Sequence, residues 1–304
     1  MSHLRVATFL PARLSVQLKA AMSHDDEVCV TDSWEELETM VRLDPLSVVV
    51  LNPAADGTMD VARACRLIRN YASVPFVAYV PVDAPFVRGV AYMSSEGLQD
   101  VIVYRSDDSP IRLHDLLERV SWVPEVSALF GHLLPWVRRL PEPIVDVLID
   151  DLRQPRKFSS AEDMAAAANI TLSFLYRSFR KARLNSPKSF VIGARVFRGY
   201  LYLRDDGSSI GDVAAKLGYK HPRIFARHIE CVLGECPSRV RHSLSSAEVS
   251  RRVLEWFACP DREPASYPEC DAIEIPPVKA GVAPFSVAEP FAKRRIHGVM
   301  LENS

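Results

Sequence analysis

Short apolar runs alternate with amphipathic stretches along residues 1–120. The apolar runs are strand-like and rich in β-branched residues: Arg5–Leu10, Glu27–Thr31, Ser47–Leu51, Phe76–Val80 and Gln99–Tyr104. The stretches between and after them have helical spacing: Ala12–Met22, Ser33–Leu43, Met59–Tyr71, Ala84–Ser95 and Ile111–Val120. Five successive strand–helix units predict a doubly wound, parallel five-stranded sheet covered on both faces. Val48–Leu51, the most continuous β-branched run, should be the central strand.

This pattern resembles a response-regulator receiver domain, which has an acidic pair after the first strand, a phospho-accepting aspartate after the third and a lysine after the fifth. The corresponding places here read Phe9-Leu10-Pro11, Asn52-Pro53 and Tyr104-Arg105. Asparagine cannot form an acyl phosphate, and no acidic pair is present to hold Mg²⁺. We therefore expect a receiver-like domain without phosphotransfer that serves dimerisation or protein contact.

Two alternatives stay open for this domain. Asp56 lies close to Asn52 and would be a displaced phosphoryl acceptor in a phosphorylation-gated response regulator. Open α/β sheets also form crevices at the carboxyl ends of their strands, so a small-ligand-gated regulator is the other alternative.

A weak internal repeat occupies residues 158–241. Each copy has a serine followed three residues later by an aspartate and then by paired alanines: Ser160, Asp163, Ala165 and Ala166 in the first, Ser209, Asp212, Ala214 and Ala215 in the second. Ser and Asp at this spacing favour reciprocal capping of a helix N-terminus. Asn169 and Gly218 follow at positions where a left-handed backbone is expected. The pattern predicts two helix-turn-helix units joined by a long helix that starts at Pro187.

The second helix of each unit has one apolar face, formed by Leu175 and Phe179 in the first copy and by Phe225 and Ile229 in the second. The opposite faces carry the candidate DNA-binding residues: Ser173, Tyr176, Arg177, Arg180, Lys181, Lys220, His221, Arg223 and Arg227. We expect arginines at positions 177, 223 and 227 to read base edges, because a guanidinium pairs bidentately with guanine. The phosphate contacts are expected from Arg180, Lys181, Lys188 and Lys220.

Residues 158–241 resemble the DNA-binding domain of AraC/XylS-type transcription regulators. The residues that carry the resemblance are Met164-Ala165, Leu175, Phe179-Arg180-Lys181, Ser186-Pro187, Arg195, Ile210, Val213-Ala214, Leu217-Gly218-Tyr219, Phe225, Gly234, Pro237-Ser238 and Arg241. Three departures are Ile229-Glu230 in place of Phe-Lys, an early Pro222, and Gly199 where the family usually has alanine. Arg195 and Arg198 on the connecting helix should contact the DNA backbone or face solvent. The resemblance implies a sequence-specific transcription regulator that binds double-stranded DNA.

The charge distribution supports this interpretation. Residues 1–150 carry 13 lysines and arginines against 21 aspartates and glutamates, a net charge of -8. Residues 151–252 carry 19 against 9, a net charge of +10. Basic charge is thus concentrated on the repeat, as binding to a phosphate backbone requires.

We divide the chain into a receiver-like domain (1–120), an apolar helical linker (121–140), the DNA-binding domain (141–245), and a short helix with a mostly disordered proline-rich tail (246–304). The linker, with Pro135 as a kink, packs against the receiver-like domain or forms a dimer interface or lever. A homodimer through the N-terminal domain or the linker, and contact with RNA polymerase, are further expectations.

Other classes of function find little support. A DNA-repair methyltransferase fusion would need a four-cysteine zinc site, but Cys231, Cys236, Cys259 and Cys270 lie outside the N-terminal half and do not form such a set. No glycine-rich phosphate loop or Ser-His-Asp set is evident, so we expect no enzyme activity, no metal and no cofactor. No apolar run is long enough to span a bilayer and no signal peptide is recognisable, which predicts a cytoplasmic protein with reduced cysteines.

Overall fold

The computed structural model describes residues 3–258, and its N-terminal part is a parallel α/β sheet. Five strands are present: β1 (Arg5–Phe9), β2 (Glu27–Val30), β3 (Val48–Leu51), β4 (Phe76–Val80) and β5 (Asp100–Val103). Their order is β2-β1-β3-β4-β5, and every neighbouring pair is parallel. This is the receiver-type doubly wound topology, with β3 at the centre as predicted.

Five helices cover the sheet and separate its core into two layers: α1 (Ala12–Ala21), α2 (Trp34–Leu43), α3 (Val61–Asn70), α4 (Ala84–Ser95) and α5 (Pro110–Val120). One apolar cluster lies on the side of α2, α3 and α4, and the other lies on the side of α1 and α5. The predicted start of the third helix, Met59, is two residues early. The side chain of Asp60 accepts a hydrogen bond from the Arg63 amide and therefore caps the helix at Val61.

The C-terminal part is entirely helical: α6 (Pro124–Val137), α7 (Glu142–Arg153), α8 (Ala161–Ala167), α9 (Leu172–Ala182), α10 (Pro187–Leu203), α11 (Ile210–Lys216), α12 (Pro222–Leu233), α13 (Pro237–Ser243) and α14 (Ser246–Ala258). A single apolar cluster runs from Val123 to Phe257. It includes the buried face of α6 and that of α14, so the core extends beyond the expected boundaries at residues 140 and 245.

The linker helix α6 belongs to this helical core. Leu129 and Leu133 are fully buried in the C-terminal cluster, where α6 packs against α7 and α14. Its pattern left open packing on the receiver-like domain, a dimer interface or a lever to the DNA-binding domain. The buried face of α6 packs into the helical core and not onto the receiver-like domain. The predicted short helix after Ser246 is also present, and Trp256 Nε1 donates to the Ser189 carbonyl at 2.7 Å. Predictions for residues 259–304, including the disordered tail, lie outside the described residues.

Gly199 in α10 allows a close crossing between helices. A Cβ at this position would lie 2.7 Å from the Phe225 ring and 3.0 Å from Leu217. Real side chains do not approach so closely, so the glycine that departs from the family pattern creates space for the second helix-turn-helix unit.

Gly199→Ala is therefore expected to lower the free energy of unfolding by about 1–2 kcal/mol, because overpacking outweighs the gain of about 1 kcal/mol in helix propensity. Gly131→Ala is the matched control, since a Cβ at this exposed position in α6 meets no atom within 4 Å. The control should be neutral or stabilising in urea unfolding followed by circular dichroism. Equal stabilisation by both substitutions would contradict the packing explanation.

The carboxylate of Asp151 is buried on α7 without a hydrogen-bond partner among the described residues. Burial raises its pKa to about 7, and the nearby Arg195 guanidinium only partly offsets that effect.

Within residues 3–258, no helix has the length and apolarity needed to cross a membrane. The same residues contain no group of three or more His, Cys, Asp or Glu side chains arranged to hold a metal ion.

Candidate nucleic-acid interface

Both helix-turn-helix units begin with the predicted reciprocal caps. In the first, Ser160 Oγ accepts from the Asp163 amide at 3.2 Å and the Asp163 carboxylate accepts from the Ser160 amide at 3.1 Å. The same pair of bonds joins Ser209 and Asp212, at 3.1 and 3.0 Å. Each cap satisfies backbone donors that would otherwise lack a partner at a helix start, and fixes where α8 and α11 begin.

Left-handed residues shape the turns of both units. Asn169 has φ of 52° and Gly218 has φ of 82°, as the sequence predicted. The repeat also extends past the ends of the second helices, because the C-cap of α9 is Arg183 (φ 60°) and the C-cap of α12 is Gly234 (φ 73°). The left-handed arginine was not predicted, since that conformation usually favours glycine or asparagine.

The inner faces of α9 and α12 are sealed into the core. Leu175, Phe179, Phe225 and Ile229 are at most 1% exposed, as predicted. α12 has an additional internal contact that the sequence did not reveal, in which the Tyr219 hydroxyl and His228 Nδ1 lie 2.9 Å apart. Burial lowers the pKa of His228 to about 4, so this ring is neutral in the fold and does not add to the basic surface.

All nine candidate DNA-binding residues lie on the exposed surface of α9 and of the turn and first half of α12. No carboxylate in the described part of the chain pairs with the arginines at positions 177, 180, 223 and 227. Their guanidinium groups are therefore available to an outside partner. The early Pro222 is the first residue of α12, where a proline fits because its missing N–H would have no helical acceptor.

Exposed aromatic rings add an apolar component at the start of α9. Phe174 and Tyr176 are each 40% exposed. Phe174 borders a shallow depression of about 580 Å³ with Ala166, Asn169 and Thr171. Sequence reasoning did not select Phe174, although it stands in the first turn of the helix, where docked helices usually meet bases. An exposed ring there can contact a thymine methyl group.

Three arginines of the helical domain have internal roles. Arg195 is 1% exposed and donates to the carbonyls of Pro155 (2.8 Å) and Phe158 (2.6 Å), which ties α10 to the start of the first unit. Arg241 donates to the carbonyls of Leu203 and Ser208 and so closes the loop before the second unit. The predicted solvent or DNA-backbone position of Arg195 and Arg198 is wrong, because both are buried; Arg198 donates to the Tyr202 hydroxyl at 2.9 Å.

At the carboxyl edge of the N-terminal sheet, Asn52 occupies the place of the receiver phosphoryl acceptor. It is 3% exposed, donates from Nδ2 to the Tyr79 carbonyl at 2.8 Å and accepts at Oδ1 from the Ala54 amide at 2.9 Å. Its side-chain amide is thus used in holding β3, β4 and the following turn together. Asp56 lies exposed in that turn and accepts from the Thr58 amide at 3.0 Å.

A crevice of about 330 Å³ lies beside this edge. It is bordered by residues that follow β1 and β2, among them Leu10, Ser15, Lys19 and Asp32. The hydroxyl groups of its walls bond internally, since Ser15 Oγ donates to the Leu10 carbonyl and Thr31 Oγ1 donates to the Thr8 carbonyl. The position is that of the crevice expected in a doubly wound sheet, but its polar groups do not identify a ligand.

Comparison with known proteins finds matches to the helical region. Residues 164–243 match a family model described as a helix-turn-helix domain. The chain is 28% identical over 109 residues to the lactose operon transcription activator of Staphylococcus xylosus, covering 33% of this chain and 39% of that protein. It is 26% identical over 84 residues to the Msm operon regulatory protein of Streptococcus mutans, covering 28% of this chain and 30% of that protein. The chain thus matches well under half the length of these relatives.

A solved structure with some similarity is full-length FixJ from B. japonicum, at 15% identity and a TM-score of 0.35, covering 63% of this chain and 95% of that one. The receiver-like assignment of the N-terminal part therefore depends on the strand order and the helices on both faces described above. From the paired capping boxes, the left-handed turns and the family match, residues 164–243 are an AraC-type helix-turn-helix domain, and a receiver-like α/β domain precedes it.

Proposed function

We propose that this protein is a sequence-specific DNA-binding transcription regulator of the AraC/XylS type. The observation that supports the proposal most strongly is the pair of capped helix-turn-helix units whose second helices, α9 and α12, are sealed on one face and basic on the other. Helices of this kind enter the major groove with their N-terminal residues toward the bases. The names of the relatives from S. xylosus and S. mutans agree with a role in operon regulation.

In the proposed complex, α9 and α12 lie in successive segments of the major groove on one side of the duplex. Arg177, Arg223 and Arg227 read base edges, with Ser173, Tyr176 and His221 beside them. Arg180, Lys181, Lys188 and Lys220 hold the phosphates, where they set position without specifying sequence. A binding site of two parts follows, one part for each unit.

Selection of bound duplexes from a random-sequence pool tests this function. The purified protein should enrich one bipartite sequence, and fluorescence anisotropy should show binding that weakens steeply as salt is raised. Binding that is equally strong to scrambled duplexes would contradict sequence recognition.

We further propose that the receiver-like domain does not accept a phosphoryl group, because Asn52 is committed to structural hydrogen bonds and no acidic pair follows β1. Incubation with acetyl phosphate and Mg²⁺ should leave the intact mass unchanged. A stoichiometric mass gain that Asp56→Asn abolishes would instead support the phosphorylation-gated alternative. A small-ligand-gated regulator is the other candidate, and the crevice beside β1 and β2 is the position where such a ligand would bind.

The partner proposals extend beyond DNA. A homodimer through the N-terminal domain is compatible with its receiver-like fold, and contact with RNA polymerase would follow from a role in activation. We also propose that the protein acts in the cytoplasm and has no catalytic activity of its own. Among the described residues, no zinc-binding set supports the DNA-repair methyltransferase alternative.

A further inference from the structure

The receiver-like domain meets the second helix-turn-helix unit mainly through polar groups. It also meets the end of α7, where Gln154 Nε2 donates to the His3 carbonyl and Arg153 lies 3.8 Å from the Glu118 carboxylate. α2 packs along α11, and the loop between α3 and β4 meets the loop between α10 and α11. Within residues 3–258 no apolar cluster crosses this boundary, because the two N-terminal clusters and the C-terminal cluster are separate. We name this contact the interdomain latch, formed by residues 41–42 and 70–73 on one side and by residues 205–207, 212 and 216 on the other.

Lys216, the last residue of α11, is the centre of the interdomain latch. It is fully buried, and its ammonium group donates to the Val41 carbonyl at the end of α2, at 2.8 Å. The same group lies 4.3 Å from the centre of the Tyr202 ring, with Asp205 as its nearby counter-charge. Burial lowers the pKa of Lys216 to about 8.

The loop before α11 completes the interdomain latch. Asp205 accepts from the Ser73 amide at 2.9 Å and also from the Ser73 hydroxyl. Gly207 exchanges backbone contacts with the other domain, donating to the Asn70 carbonyl at 3.2 Å and accepting from the Tyr71 hydroxyl at 3.2 Å. Any Cβ at Gly207 would lie 2.5 Å from the Tyr71 ring.

The charged and polar groups of the interdomain latch lower the free-energy cost of separating the two domains. Each charged group in it, Lys216, Asp205 and the Arg42–Asp212 pair at 3.8 Å, regains water when the domains part. An apolar interface is stabilised by the hydrophobic effect, and this stabilisation is lost when the domains separate. Charged groups behave differently, because they lose hydration when the domains dock and regain it when the domains separate. The free-energy difference between the docked and the separated domains is therefore smaller than it would be for an apolar interface of the same area.

The interdomain latch does not cover the DNA-reading surface. Lys220, His221, Arg223 and Arg227 stay exposed while Lys216 is buried. The closed arrangement nevertheless withdraws one cation from solvent and keeps an acidic domain beside the second unit. Residues 1–120 carry 11 lysines and arginines against 17 aspartates and glutamates, a net charge of -6. A duplex, which is densely negative, is repelled by such a neighbour within about one Debye length.

We propose that the interdomain latch restrains the second helix-turn-helix unit electrostatically, so that DNA binding through this unit strengthens when the receiver-like domain is released. This inference rests on the proposed DNA-binding function and adds its regulation. The latch lies at the amino edge of the sheet, near the starts of β3 and β4, whereas Asn52 and the crevice lie at the carboxyl edge. An input at the carboxyl edge would act through the sheet on the closed interface.

Gly207→Leu tests the proposal, because it places a side chain against Tyr71 without changing charge. Gly131→Leu is the control, since that position is exposed and open. Labelling with an amine-reactive reagent, read by peptide mass spectrometry, reports the interface directly. In the wild type and the control, Lys216 should react at least on the order of tenfold more slowly than the exposed Lys181, and in Gly207→Leu the two rates should approach each other. Ser73→Ala, which removes one bond to Asp205, should give an intermediate rate.

Binding is then measured by anisotropy on the duplexes that the wild type and Gly207→Leu each select from a random-sequence pool. Gly207→Leu should bind about fivefold or more tightly than the wild type and the control, and the gain should shrink as salt is raised. Rapid labelling of Lys216 in the wild type, or equal or weaker DNA binding by an opened and folded variant, would overturn the proposal. If neither protein selects DNA, the proposed function fails and its regulation with it, while the labelling rates still report whether the domains dock.

Discussion

Arg223→Ala and Arg227→Ala are each expected to weaken binding to the selected duplex by about 1–3 kcal/mol, roughly tenfold to a hundredfold, and to relax the preference at one base pair. The reason is that both guanidinium groups project from the exposed face of α12, and no described carboxylate pairs with them. Loss of a bidentate contact to guanine removes discrimination as well as affinity. Anisotropy titrations on duplexes with single base changes measure both effects.

Two further variants separate base reading from general charge loss. Arg180→Ala should weaken binding by a similar factor on every sequence and reduce the slope of log affinity against log salt by about one. Arg139→Ala, an exposed arginine beyond the end of α6, should change neither quantity. If the α12 variants keep full affinity and unchanged base preference, α12 does not read the bases and the proposed docking of the second unit is incorrect.

Asp151→Asn is expected to stabilise the helical domain by about 2–4 kcal/mol at pH 8 and to have little effect at pH 4. The native pKa of this carboxyl group is raised from 3.8 to about 7, mainly by burial. The folded protein therefore holds a proton that the unfolded chain releases. The stabilisation from that proton is complete below pH 4 and is lost as pH rises through about 7. An amide at this position carries no charge at any pH and is free of this penalty.

Urea unfolding at pH 4, 6 and 8, followed by circular dichroism, measures the pH dependence. Asp206→Asn is the matched control, since Asp206 is exposed in the loop after α10, and it should follow the wild type at each pH. A stabilisation of Asp151→Asn that is the same at all three values would show that the carboxyl group does not titrate in this range.

Local signals were enough to predict the fold and the exposed basic faces of α9 and α12. The caps at Ser160 and Ser209, and the turns at Asn169 and Gly218, are determined by residues within four positions of one another. The alternation of strands and helices likewise revealed the sheet and its central strand, because each unit buries a local apolar pattern.

Long-range polar contacts could not be predicted in this way. Lys216 and Arg198 have the residue type of a solvated helix face, and only the packing of distant segments buries them. Lys216 donates to the backbone carbonyl of Val41, and Arg198 donates to the Tyr202 hydroxyl. Neither acceptor carries a sequence signal that points to its partner. The packing partner of the linker helix could not be predicted for a related reason, since an apolar face does not specify which core it joins.

Asn52 limits how this domain could change in the course of evolution. Aspartate has nearly the same shape, but its carboxylate has no N–H to offer the Tyr79 carbonyl, and the two oxygens would face each other across the 2.8 Å contact. Replacement of Asn52 by aspartate alone would therefore weaken the contact between β3 and β4. A phosphoryl acceptor at this position would therefore require several simultaneous changes: a new partner for the Tyr79 carbonyl, and acidic side chains able to hold Mg²⁺.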